Sequence, residues 1–161
     1  MAIYHLRVQE ISAAKGQSAV AAIAYRRGAK ILNEATGERK DFSNKSHIAH
    51  TEFAIPQNAP RWVEELLSLS GDQPSQKFWS QVEHQNVRTN SRYANEIEMA
   101  LPLELSREQN IELVRSFVAE RLTSRGLVAD WAYHDVPDNP HVHIMVQTRP
   151  LTETGFGKVL Q

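Results

Sequence analysis

The sequence predicts an α+β domain, with a central antiparallel sheet of about five strands and helices packed mainly on one face. Three observations carry this expectation. Several segments alternate apolar and polar residues with the period of a strand. One long segment has helical periodicity behind a capping box, and two late strands are joined by a connection short enough to force an antiparallel pair. At 161 residues the chain is one domain, large enough to bury a substantial core.

Ile3–Glu10 alternates, with Tyr4, Leu6 and Val8 on one side and His5, Arg7 and Gln9 on the other, as a strand does. Ser12–Gln17 is a polar connector. Ser18 is placed to cap an alanine-rich helix over 19–30, closed near Gly28. Residues 31–44 read as a turn or mobile loop around Thr36 and Gly37. His50–Ile55 is a short strand stopped by Pro56. Pro60 opens a helix to about Ser70, and a second helix covers about 75–89. Tyr93–Leu101 returns to strand periodicity, with Glu96 and Glu98 on one face and Ile97 and Met99 on the other.

The clearest helix follows. Ser106 and Gln109 form the capping box, Ile111, Val114, Phe117, Val118 and Leu122 make the apolar stripe, and Gly126 closes it. Val128–His134 and the strand after Pro140 are joined through a hairpin at Asp138–Asn139. The remainder, 151–161, shows no evident closing element. No run is long and apolar enough for a membrane span, and Met1–Glu10 alternates as a strand rather than reading as a signal peptide.

Composition excludes some chemistry. With no cysteine there is no disulfide framework and no thiolate metal site. Net charge is −1, which does not advertise a nucleic-acid binder, but the charge is unevenly spread. Residues 1–50 hold eight Lys/Arg against four Asp/Glu, and the remainder ten against fifteen. A basic first third is suited to phosphates.

Three of the seven histidines fall within ten positions: His134, His141 and His143. His141 and His143 stand at i and i+2 of a strand, so their rings share a face with Cα atoms roughly 6.5 Å apart. A hairpin carries His134 back beside them. Three imidazoles converging from neighbouring strands can hold one divalent ion and leave coordination positions open, as catalytic sites do. A pair of surface or core imidazoles is the other reading of His-x-His. Imidazole ligands suit several transition metals, Zn, Co and Ni among them, and so do not fix the ion. Spacing alone selects no nucleophile among Tyr4, Tyr25, Tyr93 and Tyr133.

Four ordered segments, MAIYHL, KGQSAVAAIAYRRG, NEIEMALPLEL and YHDVPDNPHVHIM, resemble plasmid mobilisation relaxases of the MobA/MobL type. That family falls within the single-strand endonucleases named for a histidine–hydrophobic–histidine motif, and the resemblance runs from Met1 to about Lys158. It implies that His134, His141 and His143 hold the metal and that Tyr25 is the nucleophile. Glu96 matches an acidic position for orienting a liganding imidazole or serving as a base, and Glu98 a supporting one. Arg26, Arg27 and Arg149 are candidate DNA contacts.

The implied function is a relaxase that cuts one strand at a plasmid origin of transfer through a 5′-phosphotyrosine intermediate. The implied partners are single-stranded DNA beside a hairpin and a type IV secretion coupling protein. The implied setting is the bacterial cytoplasm, with transfer to the recipient along with the DNA. Residues 1–161 would be the catalytic domain, the N-terminal part of a longer protein. Three other functions fit the same residues: a rolling-circle replication initiator, a metal-hydroxide hydrolase, and a DNA-binding module without catalysis.

Overall fold

The structure, a computed structural model, describes residues 5–158, so the first residues of the expected N-terminal strand and the last three of the chain lie outside it. Five strands form the main sheet: β1 (Leu6–Ser12), β4 (Ile48–Ala54), β5 (Arg92–Ala100), β6 (Ala129–Val136) and β7 (Asn139–Gln147). Their order is β1-β5-β7-β6-β4, and every neighbouring pair is antiparallel. Among the described residues four α-helices accompany them: α1 (Ala19–Arg27), α2 (Arg61–Leu66), α3 (Gln73–His84) and α4 (Arg107–Arg121). No helix among the described residues is long and apolar enough to cross a membrane.

Alternation along the strands divides the interior into two cores. Ile97, Met99, Trp131, Tyr133, Val142, Ile144 and Val146 point to one face, where Val114, Val118 and Leu122 of the α4 segment cover them. The capping box at the start of α4 forms as its sequence predicts: the Ser106 hydroxyl accepts from Gln109 N–H, and the Gln109 side chain returns to Ser106 N–H. The other face carries α1, α2 and α3 over Ile11, Ala94, Val128 and Met145, with Phe78 and Trp79 fully buried between. Each such large apolar side chain contributes roughly 1.5–3 kcal/mol by leaving water. Three of the four helices therefore lie on one face.

The histidines sit on that helix-bearing face and not on an open face opposite it. His134, His141, His143, Glu96 and Glu98 share the side of the sheet on which α1–α3 pack, at the end where the last turn of α1 reaches over. Alternation alone distinguishes two faces but does not say which of them a helix will cover.

Several boundaries differ from expectation. α1 stops at Arg27, three residues early, because Gly28 adopts φ 61 and its N–H closes the helix on Ala24 and Tyr25 carbonyls. The segment 31–44 is not a loop throughout: β2 (Lys30–Leu32) and β3 (Arg39–Asp41) pair as a small hairpin. Asn33 turns it, with its carbonyl accepting from Gly37 N–H at 2.7 Å and its side chain from Ala35 N–H at 3.0 Å. α2 is shorter than expected. α3 begins earlier, since Pro74 falls in its first turn, where no N–H is needed. The end of the chain does close, through the hairpin of β8 (Leu151–Thr152) and β9 (Gly155–Phe156).

A buried ion-pair network fixes α1 to the sheet. Arg27 donates to Asp130 on β6 at 2.6 Å, to Asp72 before α3 at 2.7 Å, and to the Thr51 hydroxyl on β4 at 3.2 Å. The Trp79 indole N–H supplies Asp130 with a second donor at 3.0 Å. Asp130 is fully buried and the Arg27 side chain only 5% exposed, so neither has water as an alternative partner. Removing one partner of such a pair leaves a buried charge uncompensated. Asp130→Ala is accordingly expected to lower the unfolding free energy by about 3–5 kcal/mol in urea titration; a loss below about 1 kcal/mol would contradict the role given to this network.

Candidate metal centre

Strand register assembles the site. β6 and β7 are joined by the two-residue turn Pro137–Asp138, one position earlier than the sequence suggests. Asp138 has φ 62, a conformation Asp accepts more readily than most non-glycine residues. The pairing places His134 directly opposite His141 and Ala132 opposite His143. The ring centroids of His134, His141 and His143 lie 5.1, 4.7 and 5.0 Å apart, and one ligand nitrogen from each falls within 4.8 Å of the other two. The structure therefore brings together all three histidines singled out from the sequence.

The ring nitrogens are sorted by their partners. His134 Nε2 lies 2.7 Å from the Arg26 carbonyl oxygen, and His141 Nδ1 lies 2.8 Å from that of Asn139. A carbonyl only accepts, so each of those nitrogens carries the proton, leaving Nδ1 of His134 and Nε2 of His141 with free lone pairs. His143 Nδ1 is buried without a hydrogen bond and faces Glu96 Oε2 at 3.4 Å. Rings held through one nitrogen and presenting the other are what a metal site requires. The donor set thus fits a divalent ion held by His134, His141 and His143, with the remaining coordination positions open to substrate.

Protonation state supports the same fit. Burial pushes the His134 imidazolium down to about 4, and His141, His143 and Lys45 lower it further against the opposing hydrogen bond to Arg26. Burial likewise lowers His143 to about 4, with Glu98 opposing and Arg26, Lys45 and Arg7 adding to the shift. Both rings are neutral at physiological pH, the form that binds metal.

The acidic and basic side chains around the triad are heavily engaged. Glu96, 1% exposed, is paired with Arg26 and accepts from Gln9 Nε2 at 2.6 Å. Glu98 accepts from Arg7 at 3.0 Å and stands 3.8 Å from His143 Nε2. Arg26 also donates to the Ala22 carbonyl, one turn back along α1. Tyr25, half exposed on α1, immediately precedes the residue whose carbonyl holds His134. Its ring is packed edge-on by Phe42, and Lys45 Nζ lies 3.5 Å from its centroid.

Two candidate DNA contacts are corrected. Arg27, expected at a DNA surface, points instead into the core and spends its guanidinium on Asp72, Asp130 and Thr51. Arg149 lies beyond β7, which ends at Gln147, and donates to the carbonyls of Gln85 and Gly157 and to the Asn86 side chain. It pins the terminal hairpin at the far end of the strand from His141. Lys45, Gln9 and Arg7 are the site neighbours that sequence reasoning missed. The β1–β5 pairing sets Gln9 and Arg7 opposite Glu96 and Glu98; alternation marks both segments as strands but does not make them partners.

A sheet-borne triad built on a histidine–hydrophobic–histidine strand defines the class, and comparison with known proteins specifies it. Residues 17–161 match the MobA/MobL family, and the chain belongs to that family. Over 160 residues it is 43% identical to the conjugal transfer protein TraA of Agrobacterium fabrum, covering 98% of this chain and 14% of that protein. It is 34% identical over 134 residues to the mobilization protein MobL of Acidithiobacillus ferridurans, covering 83% of this chain and 32% of the relative. The chain thus spans about one seventh to one third of the length of these relatives. A chain solved in work on the molecular basis of vancomycin resistance transfer in Staphylococcus aureus superposes with a TM-score of 0.85 at 31% identity, covering 99% of this chain and 78% of that one.

The lowered imidazole values set a pH dependence. His134 and His143 titrate near 4 when folded and near the ordinary value of about 6.5 when unfolded, so the unfolded chain binds more protons below that pH. Stability is retained above about pH 6.5 and lost progressively as pH falls toward 4. In thermal melts, His134→Asn and His143→Asn should each flatten this fall relative to the unsubstituted protein; parallel curves would contradict the assignment. Mn²⁺ at about a hundredfold excess over its Kd should raise the unfolding free energy by about 2.7 kcal/mol. His141→Ala should abolish that gain, and a full gain in the variant would place the ion elsewhere.

Proposed function

We propose that this chain is the N-terminal, DNA-cleaving domain of a conjugative or mobilisation relaxase, a site- and strand-specific endonuclease and transesterase. The observation that carries the reading is the convergence of three imidazoles beneath the end of α1, where Tyr25 stands next to the residue that holds His134. Membership of the MobA/MobL family and the conjugal-transfer and mobilisation relatives support it.

In this mechanism single-stranded DNA lies across the histidine face with its scissile phosphate between the triad and Tyr25. A divalent ion, when bound by His134, His141 and His143, supplies Lewis-acid stabilisation to the non-bridging phosphate oxygens. Tyr25 Oη attacks phosphorus: a Tyr–O–P bond forms, the P–O3′ bond breaks, the phenolic proton is released, and the departing 3′ oxygen takes up a proton. The product is a 5′-phosphotyrosine with a free 3′-OH. Because the phosphodiester is exchanged for another phosphodiester and not hydrolysed, the reverse step reseals the strand without ATP.

The protein's part is orientation. Arg26 fixes His134 through its carbonyl and Glu96 through its guanidinium. Glu96, buried and already accepting from Arg26 and Gln9, serves as the carboxylate beside His143 and not as a mobile base. Glu98 supports the same ring from the Arg7 side. The DNA recognised is a single strand beside a hairpin at a transfer origin, the partner a type IV secretion coupling protein, and the setting the cytoplasm of a bacterium from which the covalent complex passes to the recipient. Mg or Mn is the ion favoured, with Zn, Co or Ni also suited to imidazole.

The test is incubation with Mn²⁺ and a 3′-labelled oligonucleotide spanning the transfer origin of the source replicon. A labelled species migrating with the protein on a denaturing gel is expected, and Tyr25→Phe should abolish it. Cleavage that persists in Tyr25→Phe without any adduct would replace this mechanism with hydrolysis.

A further inference from the structure

Four cationic side chains approach the histidine face, and three are neutralised. Arg7 is paired with Glu98, Arg26 with Glu96, and Arg27 with Asp72 and Asp130. Lys45 is the exception: among the described residues its ammonium has no carboxylate within ion-pair distance and donates no hydrogen bond. It rests instead 3.5 Å from the centroid of the Tyr25 ring, close enough to His134 and His143 to act on both electrostatically.

The chain holds it there firmly. Phe42 N–H donates to the Ala29 carbonyl at 2.9 Å, and Lys45 N–H to the Phe42 carbonyl at 3.1 Å. Asp135 N–H donates to the His47 carbonyl at 2.7 Å, and Ile48 pairs with His134. His47 itself adopts φ 70, a left-handed conformation unusual outside glycine, at the point where this segment enters β4. The approach to α1 depends on Gly28: a Cβ there would stand 3.1 Å from Ile48 Cγ1 and 3.6 Å from Lys45 Cβ.

An unpaired ammonium beside a triad suited to a dication repels that ion, and the neighbouring carboxylates, Glu98 and Glu96, are already paired with Arg7 and Arg26. The arrangement becomes favourable when an anion lies between the two. Tyr25 marks where that anion would be, since its hydroxyl must reach phosphorus. Building on the relaxase reading, we infer that Lys45 receives the scissile phosphate, bonding a non-bridging oxygen on the Tyr25 side while its stem and ammonium fix the tyrosine ring.

The test separates this from a packing role. In a Tyr25→Phe background, which keeps the aromatic ring, binding is measured for an origin oligonucleotide and for the same strand with a neutral methylphosphonate at the scissile position. Lys45→Met should weaken binding of the phosphodiester strand by about tenfold, the scale of one lost charge-assisted phosphate contact, and leave the methylphosphonate strand nearly unchanged. Lys45→Arg should restore most of the loss. In the Tyr25 protein, Lys45→Met should slow adduct formation by at least that factor. Equal losses for both strands, or no loss for either, would overturn the inference. If the unsubstituted protein forms no adduct at all, the relaxase reading fails first and takes this assignment with it, whereas normal adduct formation by Lys45→Met sinks this assignment alone.

Discussion

The site depends on one constraint: the register of the β6–β7 hairpin. Strand side chains alternate between faces, so a slip of one residue would carry His141 and His143 to the α4 side and leave His134 alone. The turn at Pro137–Asp138 sets the register locally, and the core holds it. Trp131 and Tyr133 on one strand and Val142 and Ile144 on the other interleave with the histidines and are fully or almost fully buried under α4. A slipped register would expose those side chains to the polar site and bury imidazoles in the apolar core. The hydrophobic layer on one face thus specifies the geometry of the histidine cluster on the other.

A second constraint brings chemistry to the triad. Three consecutive residues at the end of α1 point in different directions and do different things. Tyr25 projects into the half-exposed space near Lys45, Arg26 ties its carbonyl to His134 and its guanidinium to Glu96, and Arg27 anchors the turn to Asp130. Asp130 lies on the same strand and face as His134, four residues along, so the anchor and the site share one rigid element. Gly28 then ends the helix and lets the segment carrying Lys45 fold back across it. The positions of the proposed nucleophile Tyr25, of Arg26 and of the unpaired Lys45 all follow from how one short helix is terminated.

Much of this was legible in the sequence, and the exceptions have physical causes. The sheet strands, the α4 capping box and the shared face of His141 and His143 follow from periodicity, which is local. Periodicity does not determine which face of a sheet a distant helix will cover, so it leaves open whether the histidines lie beneath α1. Nor does it rank adjacent arginines. In YRRG both appear equally free, and only the tertiary position of Asp130 draws Arg27 inward. Lys45 sits in a stretch with no helical or strand pattern, and its place beside Tyr25 depends on the φ of Gly28 and on a backbone bond from Asp135 to His47. Such closures are invisible until the fold is assembled.

The most direct test of the account is anomalous diffraction from crystals grown with Mn²⁺. A single strong peak is expected within about 2.0–2.2 Å of one nitrogen from each of His134, His141 and His143, with at least one further coordination position filled by solvent. A peak coordinated by other residues, or full occupancy elsewhere with the three imidazoles unliganded, would contradict the central claim that this hairpin exists to present a metal to the tyrosine above it.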